Sequence, residues 1–292
     1  MSPASGRRTT VTASPASVRA RVAGWRRAGL RVAFVPTMGA IHEGHLSLVR
    51  RARASADRVA ASIFVNPLQF GPHEDFARYP RPIREDRRRL AAAGVDLLWE
   101  PRAADVYPPG HVTRVRVGGL GDVLEGASRP GHFEGVATVV LVLLEVVAPD
   151  VLWLGQKDAQ QAIVIERMVR DLRLPVRVRR GPTVRERDGL ALSSRNAYLS
   201  PAERAQAVAL SGGLAAARAA LDAGGRSGAR VARAVRAVWR RYPLVREDYV
   251  AVVDAITLEP VRDVRAARRL LVAVAARVGP ARLIDNFEWS PR

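Results

Sequence analysis

The chain has 292 residues, of which 48% are hydrophobic and 26% are charged, a composition that excludes a disordered or fibrous protein. It contains no cysteine, which excludes disulfide bonds and thiolate metal sites and leads us to expect a cytoplasmic protein. The net charge is +19, but the basic residues are spread along the chain and only 5% of residues are aromatic, so we expect no nucleic-acid partner. An arginine-rich module that binds RNA or DNA stays as an alternative from a different functional class.

Two stretches bear on membranes and export. The first ten residues are polar and basic and lead into no apolar region, so we expect no secretory signal. The longest apolar stretch, 136–148, is interrupted by Glu145 and is shorter than the ~20 residues that a membrane span needs. We therefore interpret it as a buried helix and expect no membrane association.

Hydrophobic periodicity predicts alternating strands and helices over the first part of the chain. The predicted strands lie at 31–35, 59–65, 96–99, 151–154 and 176–179, and the predicted helices at 44–56, 82–93, 135–147 and 158–172. An irregular stretch rich in proline and glycine, 101–131, separates the two halves of this pattern. Such alternation favours a parallel sheet, so we predict an α/β fold with a Rossmann-like, doubly wound parallel sheet.

The pattern changes beyond Pro201. Two alanine-rich amphipathic helices are predicted at 201–223 and 227–242, followed by strands at 249–253, 270–275 and 281–284. These elements indicate a smaller α+β domain at the C-terminus. We place the two domains at 1–185 and 186–292.

The first candidate segment is 38–45, which reads MGAIHEGH and lies between the first strand and the first long helix. The turn glycine, Gly39, lets backbone approach a ligand, and His42 and His45 can face a phosphate together at a helix N-terminus. Two histidines at this spacing could instead bind a metal or cap the helix.

The second candidate segment, 64–70, reads FVNPLQF and ends the second strand. Because ligands of open α/β sheets lie outside the carboxyl ends of the strands, we expect Asn66 and Gln69 to share a crevice with His42 and His45. Neutral amides suit the recognition of hydroxyl and carboxylate groups. An Asn-Pro turn without a ligand is the alternative.

The third candidate segment, 155–161, reads GQKDAQQ and contains the chain's single lysine, Lys157, among 46 arginines. A lone lysine suggests a site that needs a compact ammonium, although chance could also leave one. Gly155 leaves room for a nucleotide, and Asp158 can cap the helix or help to hold the ribose or a metal. Gln161 can face the acid substrate.

The fourth candidate segment, 184–196, lies at the predicted domain junction. Ser193, Ser194 and Arg195 offer donors for the β- and γ-phosphates, and their position would let the second domain close over a nucleotide. A purely structural turn is the alternative.

Together the four segments resemble the pantothenate synthetase family, within the wider H-x-G-H nucleotidyltransferase superfamily. The resemblance runs from about residue 34 to residue 200 and includes the sequences YPR at 79–81 and RPGHF at 129–133. Beyond Pro201 the chain fits by size and pattern only. The resemblance implies ATP-dependent condensation of pantoate with β-alanine through a pantoyl adenylate, with release of AMP and pyrophosphate, by a homodimer.

The resemblance also implies roles for individual residues. It makes His45, His42 and Lys157 catalytic, Gln69 a ligand of pantoate and β-alanine, and Gln161 a ligand of pantoate; we add Asn66 to the substrate-binding set. The implied ATP-binding residues are Pro36, Met38, Gly39, His42, His45, Gly155, Lys157, Asp158, Val184, Leu192, Ser193, Ser194 and Arg195.

The family uses Mg²⁺ with ATP, but we predict no metal ligands in the protein. Asp86 or Glu85 could assist the cation, yet the three arginines at 87–89 favour a solvated helix face that pairs with itself. Gln156 stands where the family pattern has glutamate, and Leu192 stands where methionine is more usual. We expect the loss of a negative charge at 156 to reduce or retune activity, and we expect little from the change at 192.

Two further alternatives remain open. A different H-x-G-H transferase would leave the nucleotide attached to its product, but the pair Gln69 and Gln161 argues against it. A catalytically weakened homologue, suggested only by Gln156, would bind ATP without turnover.

Overall fold

The structure is a computed structural model that describes residues 8–72, 74 and 76–291. It divides into two compact units: the first runs to Gly155 and resumes over Gln160–Pro182, and the second comprises Gln156–Ala159 and the chain from Thr183 onward. The domain boundaries expected from the sequence, 1–185 and 186–292, stay a prediction. The two units are defined by contacts in space, and such contacts do not test which parts of the chain fold independently.

The first unit contains a six-stranded, fully parallel sheet, as predicted. Its strands are β1 (Thr10–Thr12), β2 (Val32–Thr37), β3 (Arg58–Ile63), β4 (Leu97–Trp99), β5 (Val151–Gly155) and β6 (Arg177–Gly181). They lie in the order β1-β4-β3-β2-β5-β6, so the direction in which strands are added reverses between β2 and β5. Such a switch point, at the carboxyl ends of the strands, is where open α/β sheets bind ligands.

The helices that connect these strands cover both faces of the sheet. They are α1 (Pro15–Arg27), α2 (Glu43–Ser55), α3 (Ile83–Ala92), α4 (Ala103–Val106), α5 (Glu125–Ser128), α6 (His132–Val147) and α7 (Ala159–Asp171). Ala33 and Val35 of β2 pack with Leu48 and Val49 of α2 in one hydrophobic cluster. Phe34, which points to the opposite face, is also fully buried, as a sheet covered on both sides requires.

Strand β1 and helix α1 were not predicted from the sequence. The helix begins with a recognisable signal, because the Ser14 hydroxyl accepts a hydrogen bond from the N–H of Ser17 and Pro15 occupies the first helical position. Strand β1 has only three residues, which is too short for a periodicity to show.

The second unit is a three-stranded antiparallel sheet packed with helices, which confirms the predicted α+β character. Its elements are α8 (Pro201–Ala207), α9 (Ala209–Asp222), α10 (Gly228–Trp239), β7 (Val245–Asp254), β8 (Leu270–Val278) and β9 (Ala281–Trp289). The single helix predicted at 201–223 is wrong in one respect: it divides at Val208, whose ψ of −16° departs from regular helix geometry. Among the described residues no helix is both long and apolar enough to cross a bilayer.

Candidate active site

A buried carboxylate stabilises the turn after β2. Asp86 of α3 is 1% exposed, and its two oxygens accept the backbone N–H groups of Ala40 (2.9 Å) and Ile41 (2.8 Å). Gly39 and Ala40 have φ angles of 89° and 49°, a conformation that needs such external support. Burial raises the pKa of Asp86, and the two backbone hydrogen bonds oppose that rise by favouring the carboxylate. The turn is therefore preformed by residues of its own unit.

Glu85 and Asp86 are consecutive in α3 and point to different sides of the helix. Glu85 is paired with Arg88 and Arg89, and hydrogen bonds from these guanidinium groups lower its pKa to about 2. Arg89 also donates to the carbonyl of Ile41 at 2.9 Å. The self-paired arginine face expected from the sequence is therefore present at Glu85, whereas Asp86 points inward and supports the turn.

The two histidines lie at the N-terminus of α2. Nδ1 of His42 accepts a hydrogen bond from the N–H of Gly44 (3.1 Å), and Nδ1 of His45 accepts one from the N–H of His42 (3.3 Å). A nitrogen that accepts a hydrogen bond cannot carry the proton, so each neutral ring carries it on Nε2. The ring centroids are 4.0 Å apart. This arrangement places two N–H donors side by side at the positive end of a helix, which suits an anionic oxygen.

The glycine between the histidines is required by the position of the first ring. A Cβ atom built on Gly44 would lie 2.8 Å from Cε1 and 2.9 Å from Nδ1 of His42. Any larger residue would push that ring off the helix N-terminus. The H-x-G-H spacing is thus a packing requirement as well as a pattern of donors.

Asn66 follows β3, and other residues of the chain occupy all the hydrogen-bonding positions of its side chain. Its Nδ2 donates to Gln69 Oε1 (3.1 Å) and to the carbonyl of Gly135 (3.0 Å), while Oδ1 accepts from Leu68 N–H (3.2 Å) and Tyr107 Oη (2.8 Å). These four contacts fill the four hydrogen-bonding positions of a carboxamide. Asn66, predicted from the sequence as a substrate ligand, therefore orients Gln69 in this structure.

Gln69 is 8% exposed and stands beside the first segment. Its Oε1 accepts from Asn66, and its Nε2 contacts the sulfur of Met38 at 3.1 Å. Because sulfur is a weak acceptor, the Gln69 amide retains the capacity to donate to a ligand. The structure thus brings Met38 and Gln69, which the sequence placed in separate segments, into contact.

The backbone of Gln69 is fixed by Arg129 and His132. Nδ1 of His132 lies 2.8 Å from the Gln69 carbonyl oxygen, Arg129 donates to the same oxygen at 3.3 Å, and Arg129 also pairs with Glu74. Burial, together with the adjacent Arg129 charge, lowers the pKa of His132 to about 4, so the ring is neutral near pH 7. The neutral ring donates from Nδ1 to Gln69 and accepts from Arg129 at Nε2, 3.0 Å away.

The two glutamines at the start of α7 differ in environment. Gln160 is 5% exposed and binds the 120–125 loop through the carbonyls of Leu120 and Val123 and the N–H of Glu125. Gln161, the predicted pantoate ligand, is half-buried on the next position of the helix. Of the two, Gln160 therefore has a structural role.

Lys157, Asp158 and the predicted residues from Val184 to Arg195 belong to the second unit. Lys157 Nζ lies 3.3 Å from Asp158 Oδ1, and the Lys157 carbonyl accepts a hydrogen bond from Asn286 of β9 at 2.8 Å. Val184 and Leu192 face each other, because Leu192 N–H donates to the Val184 carbonyl at 2.9 Å.

Ser193 caps the short 3₁₀ helix Ser194–Tyr198 and accepts the N–H of Arg195 at 3.2 Å. The hydroxyl of Ser193 therefore has a structural contact of its own, which is the role that the alternative interpretation of this segment assigned to it. Pro36 and Gly155 lie at the carboxyl ends of β2 and β5.

The supporting roles of Asp86 and Asn286 were not predicted, because their partners are distant in the chain. Asp86 acts on residues 45 and 46 positions away, and Asn286 acts across 129 and 130 positions. No local periodicity or motif reports such a contact. Among the described residues, no group of three or more histidine, aspartate or glutamate side chains is arranged to hold a metal ion.

Comparison with known proteins assigns the chain to a family. The family described as Pantoate-beta-alanine ligase matches residues 10–288. The Pantothenate synthetase of Moorella thermoacetica is 54% identical over 271 residues, which cover 93% of this chain and 95% of that protein. That of Heliobacterium modesticaldum is also 54% identical, covering 89% of this chain and 92% of its own.

Solved structures agree. A crystal structure of pantothenate synthetase from Thermus thermophilus is 50% identical and superimposes with a TM-score of 0.89, covering 97% of this chain and all of that one. A crystal structure of a pantoate-beta-alanine ligase from Francisella tularensis, in complex with Beta-gamma ATP and β-alanine, is 31% identical with a TM-score of 0.77. It covers 96% of this chain and 97% of its own. The chain therefore belongs to the pantoate–β-alanine ligase family.

Proposed function

We propose that this chain condenses pantoate with β-alanine at the expense of ATP, through a pantoyl-adenylate intermediate, and releases AMP and pyrophosphate. The observation that carries this proposal is the family match over residues 10–288, which includes every segment predicted to carry chemistry. The preformed turn that presents His42 and His45 adds a physical reason, because it offers donors where negative charge develops.

In the first step an oxygen of the pantoate carboxylate attacks the α-phosphorus, and the bond to the β-phosphate oxygen breaks to release pyrophosphate. Charge accumulates on the nonbridging α-oxygens, and we assign His42 and His45 to stabilise it through their Nε2–H groups. Lys157 neutralises phosphate charge, since its ammonium can approach several oxygens. The other proposed ATP-binding residues are Pro36, Met38, Gly39, Gly155, Asp158, Val184, Leu192, Ser193, Ser194 and Arg195.

In the second step the amine of β-alanine attacks the carbonyl carbon of the adenylate. The carbon–oxygen bond to phosphate breaks, AMP leaves, and the nitrogen loses a proton as the amide forms. Gln69 and Gln161 bind the substrates in this proposal, and Asn66 contributes by orienting the Gln69 amide. No residue of the chain becomes covalently attached.

The acidic side chains considered as cation ligands do not suit a protein-held magnesium ion. Both oxygens of Asp86 accept backbone N–H groups, Glu85 is paired with two arginines, and Asp158 contacts Lys157. A divalent cation needs free carboxylate oxygens from the protein or oxygens from its ligand. We therefore propose that Mg²⁺ enters with the phosphates, so that the nucleotide substrate is Mg-ATP.

A cytoplasmic location and a homodimeric state belong to the same proposal. Sedimentation equilibrium or native mass spectrometry of the purified chain tests the second. A mass of two chains supports it, and a mass of one chain contradicts it.

Nucleotide product analysis tests the function directly. Purified protein is incubated with Mg-ATP and pantoate, with and without β-alanine, and AMP, ADP and pyrophosphate are quantified. We expect AMP and pyrophosphate only when pantoate is present, and pantothenate only when β-alanine is added. ATP binding without turnover would favour a weakened homologue, and a product that retains the nucleotide would favour a different transferase.

A further inference from the structure

The glutamine at position 156 has a specific partner, Asn286 of β9. Gln156 Nε2 donates to Asn286 Oδ1 at 3.1 Å. In return, Asn286 Nδ2 donates to the backbone carbonyl of Gln156 at 3.0 Å and to that of Lys157 at 2.8 Å. Asn286 is 5% exposed, whereas Gln156 is half-buried. All three residues belong to the second unit.

The orientation of the Asn286 amide follows from these contacts. If the amide were turned over, its oxygen would face two carbonyl oxygens at 2.8 and 3.0 Å, which is electrostatically unfavourable. Its nitrogen must therefore face the backbone, and its oxygen must face the side chain at 156. An acceptor at that point requires a donor opposite. A glutamine supplies one, whereas an ionised glutamate would place a negative oxygen against Oδ1.

The neighbouring residue of β9 fixes a second site segment. Asp285 is 2% exposed and binds Arg185 through two contacts, of 2.6 and 3.0 Å. Arg185 follows Val184, one of the proposed ATP-binding residues. Two consecutive buried polar residues of β9 thus contact two predicted site segments. Asn286 binds the backbone carbonyl of Lys157, and Asp285 binds Arg185 in the segment that begins at Val184.

We infer that Asn286 is a positioning residue for Lys157 in the ligase reaction and that Gln156 is its matched partner. The Gln156 amide supplies the donor that Asn286 Oδ1 accepts, so an uncharged side chain at position 156 fits its surroundings. The expected effect on catalysis rests on the proposed function. The fixing of the Lys157 backbone rests only on the contacts described above. Asn286 acts through the Lys157 backbone and does not itself need to touch a substrate.

The variants Asn286→Ala, Gln156→Ala, Gln156→Glu and the double alanine variant test the inference. For each, the Kd of Mg-ATP is measured by calorimetry, and kcat and the KM of all three substrates are measured by AMP release. Trp289→Phe is the matched control, because it removes a hydrogen bond from the same strand to Asp222 without touching Lys157.

We expect Asn286→Ala to weaken Mg-ATP binding by about tenfold, the equivalent of one lost hydrogen bond, with the KM of β-alanine within about twofold of wild type. Gln156→Glu should be more damaging than Gln156→Ala. The double alanine variant should be no worse than Asn286→Ala, because the two side chains act as a unit. Trp289→Phe should lower Tm without changing the Mg-ATP Kd.

Three results would overturn the inference: an unchanged Mg-ATP Kd in Asn286→Ala, additive effects of the two alanine substitutions, or Gln156→Glu that binds as well as wild type. If Asn286→Ala does not fold, the two Gln156 variants decide between the outcomes. If wild type binds Mg-ATP without forming AMP, the proposed function fails, while the Kd comparison still tests the positioning role.

Discussion

Asp86 connects the candidate histidine turn to a helix that begins 40 or more residues later in the chain. Replacing it by asparagine keeps its size but sets an amide N–H against the N–H of Ala40 or Ile41. We expect Asp86→Asn to lower kcat/KM for Mg-ATP by about 100-fold, the cost of a misplaced reacting group. Loss of one buried acceptor should also reduce the free energy of unfolding by about 1–3 kcal/mol.

Glu85→Gln is the control for this prediction. Glu85 is the adjacent residue of α3, and its partners Arg88 and Arg89 lie on the same exposed face. We expect its kinetics to stay within about twofold of wild type, since exposed ion pairs contribute little. Equal losses in both variants would contradict the positioning role and would indicate that the two carboxylates act together, for example on a cation.

His132 predicts a pH dependence of stability. Its pKa is about 4 in the folded chain, because burial disfavours the charged ring, compared with 6.5 in the unfolded chain. The Arg129 charge contributes to this low pKa, and the Gln69 carbonyl, Glu74 and Glu125 partly offset it. Between these two pH values the unfolded state binds more protons. The free energy of unfolding therefore falls as the pH decreases through this window, and the His132 contribution between pH 7.5 and 5 is about 2 kcal/mol.

Urea unfolding of wild type and His132→Gln at pH 7.5 and pH 5 measures this contribution. We expect the variant to be less stable at pH 7.5 but to lose about 2 kcal/mol less than wild type when the pH is lowered. The difference between the two proteins cancels groups such as Asp86, whose raised pKa acts in the opposite direction. Identical losses in both proteins would show that His132 is not the group responsible.

For individual residues, the sequence indicated the side chains that could bind the substrates but not the residues that hold them in place. His42, His45 and Lys157 could be proposed because a signature spacing and a unique residue type are visible locally. The structural role of Asn66 could not be predicted, because its carboxamide forms hydrogen bonds with Gly135 and Tyr107, which lie far along the chain. Hydrogen-bond saturation is a property of packing and leaves no mark in a local pattern.

A close approach between α6 and the turn Pro67–Gln69 controls the placement of Gln69. A Cβ on Gly135 would lie 2.2 Å from the carbonyl oxygen of Leu68 and 2.7 Å from the nitrogen of Gln69. We expect Gly135→Ala to force these elements apart, to destabilise the fold by about 1–3 kcal/mol, and to raise the KM of pantoate and β-alanine. Chemical unfolding and steady-state kinetics measure the two effects.

Gly24→Ala is the matched control in α1. A Cβ there meets nothing within 4 Å, so the substitution should leave kinetics unchanged and stabilise the protein by up to about 1 kcal/mol through helix propensity. If Gly135→Ala behaved like Gly24→Ala, the contact between α6 and the turn would not determine the position of Gln69.

The order of strands and helices in the first unit was predictable because buried parallel strands and amphipathic helices have different hydrophobic periods. Their ends were less so. Strand β7 starts at Val245, four residues before the predicted strand, because its first residues are exposed and polar and its register shifts between Glu247 and Tyr249. Strand β9 extends five residues beyond its predicted end through the buried polar residues Asp285 and Asn286, which interrupt an apolar pattern.

For the whole molecule, the resemblance of the sequence covered residues 34–200, whereas the family match extends from 10 to 288. The C-terminal part was recognisable only by size and pattern, yet its strand β9 provides Asn286, the partner of Gln156. The doubt raised by Gln156 came from comparing one position with a pattern. The hydrogen bond from Gln156 to Asn286, 130 positions along the chain, gives the glutamine a structural role that the pattern does not show.

In the proposed reaction pantoate is joined to AMP before β-alanine reacts, and the path of a labelled oxygen reports on this order. Pantoate labelled with ¹⁸O in its carboxylate is converted with Mg-ATP and β-alanine, and AMP is examined by mass spectrometry. We expect each AMP to gain one labelled oxygen, because the carboxylate oxygen bonded to the α-phosphorus leaves with it. Label in inorganic phosphate together with ADP, or unlabelled AMP, would rule out the pantoyl-adenylate intermediate.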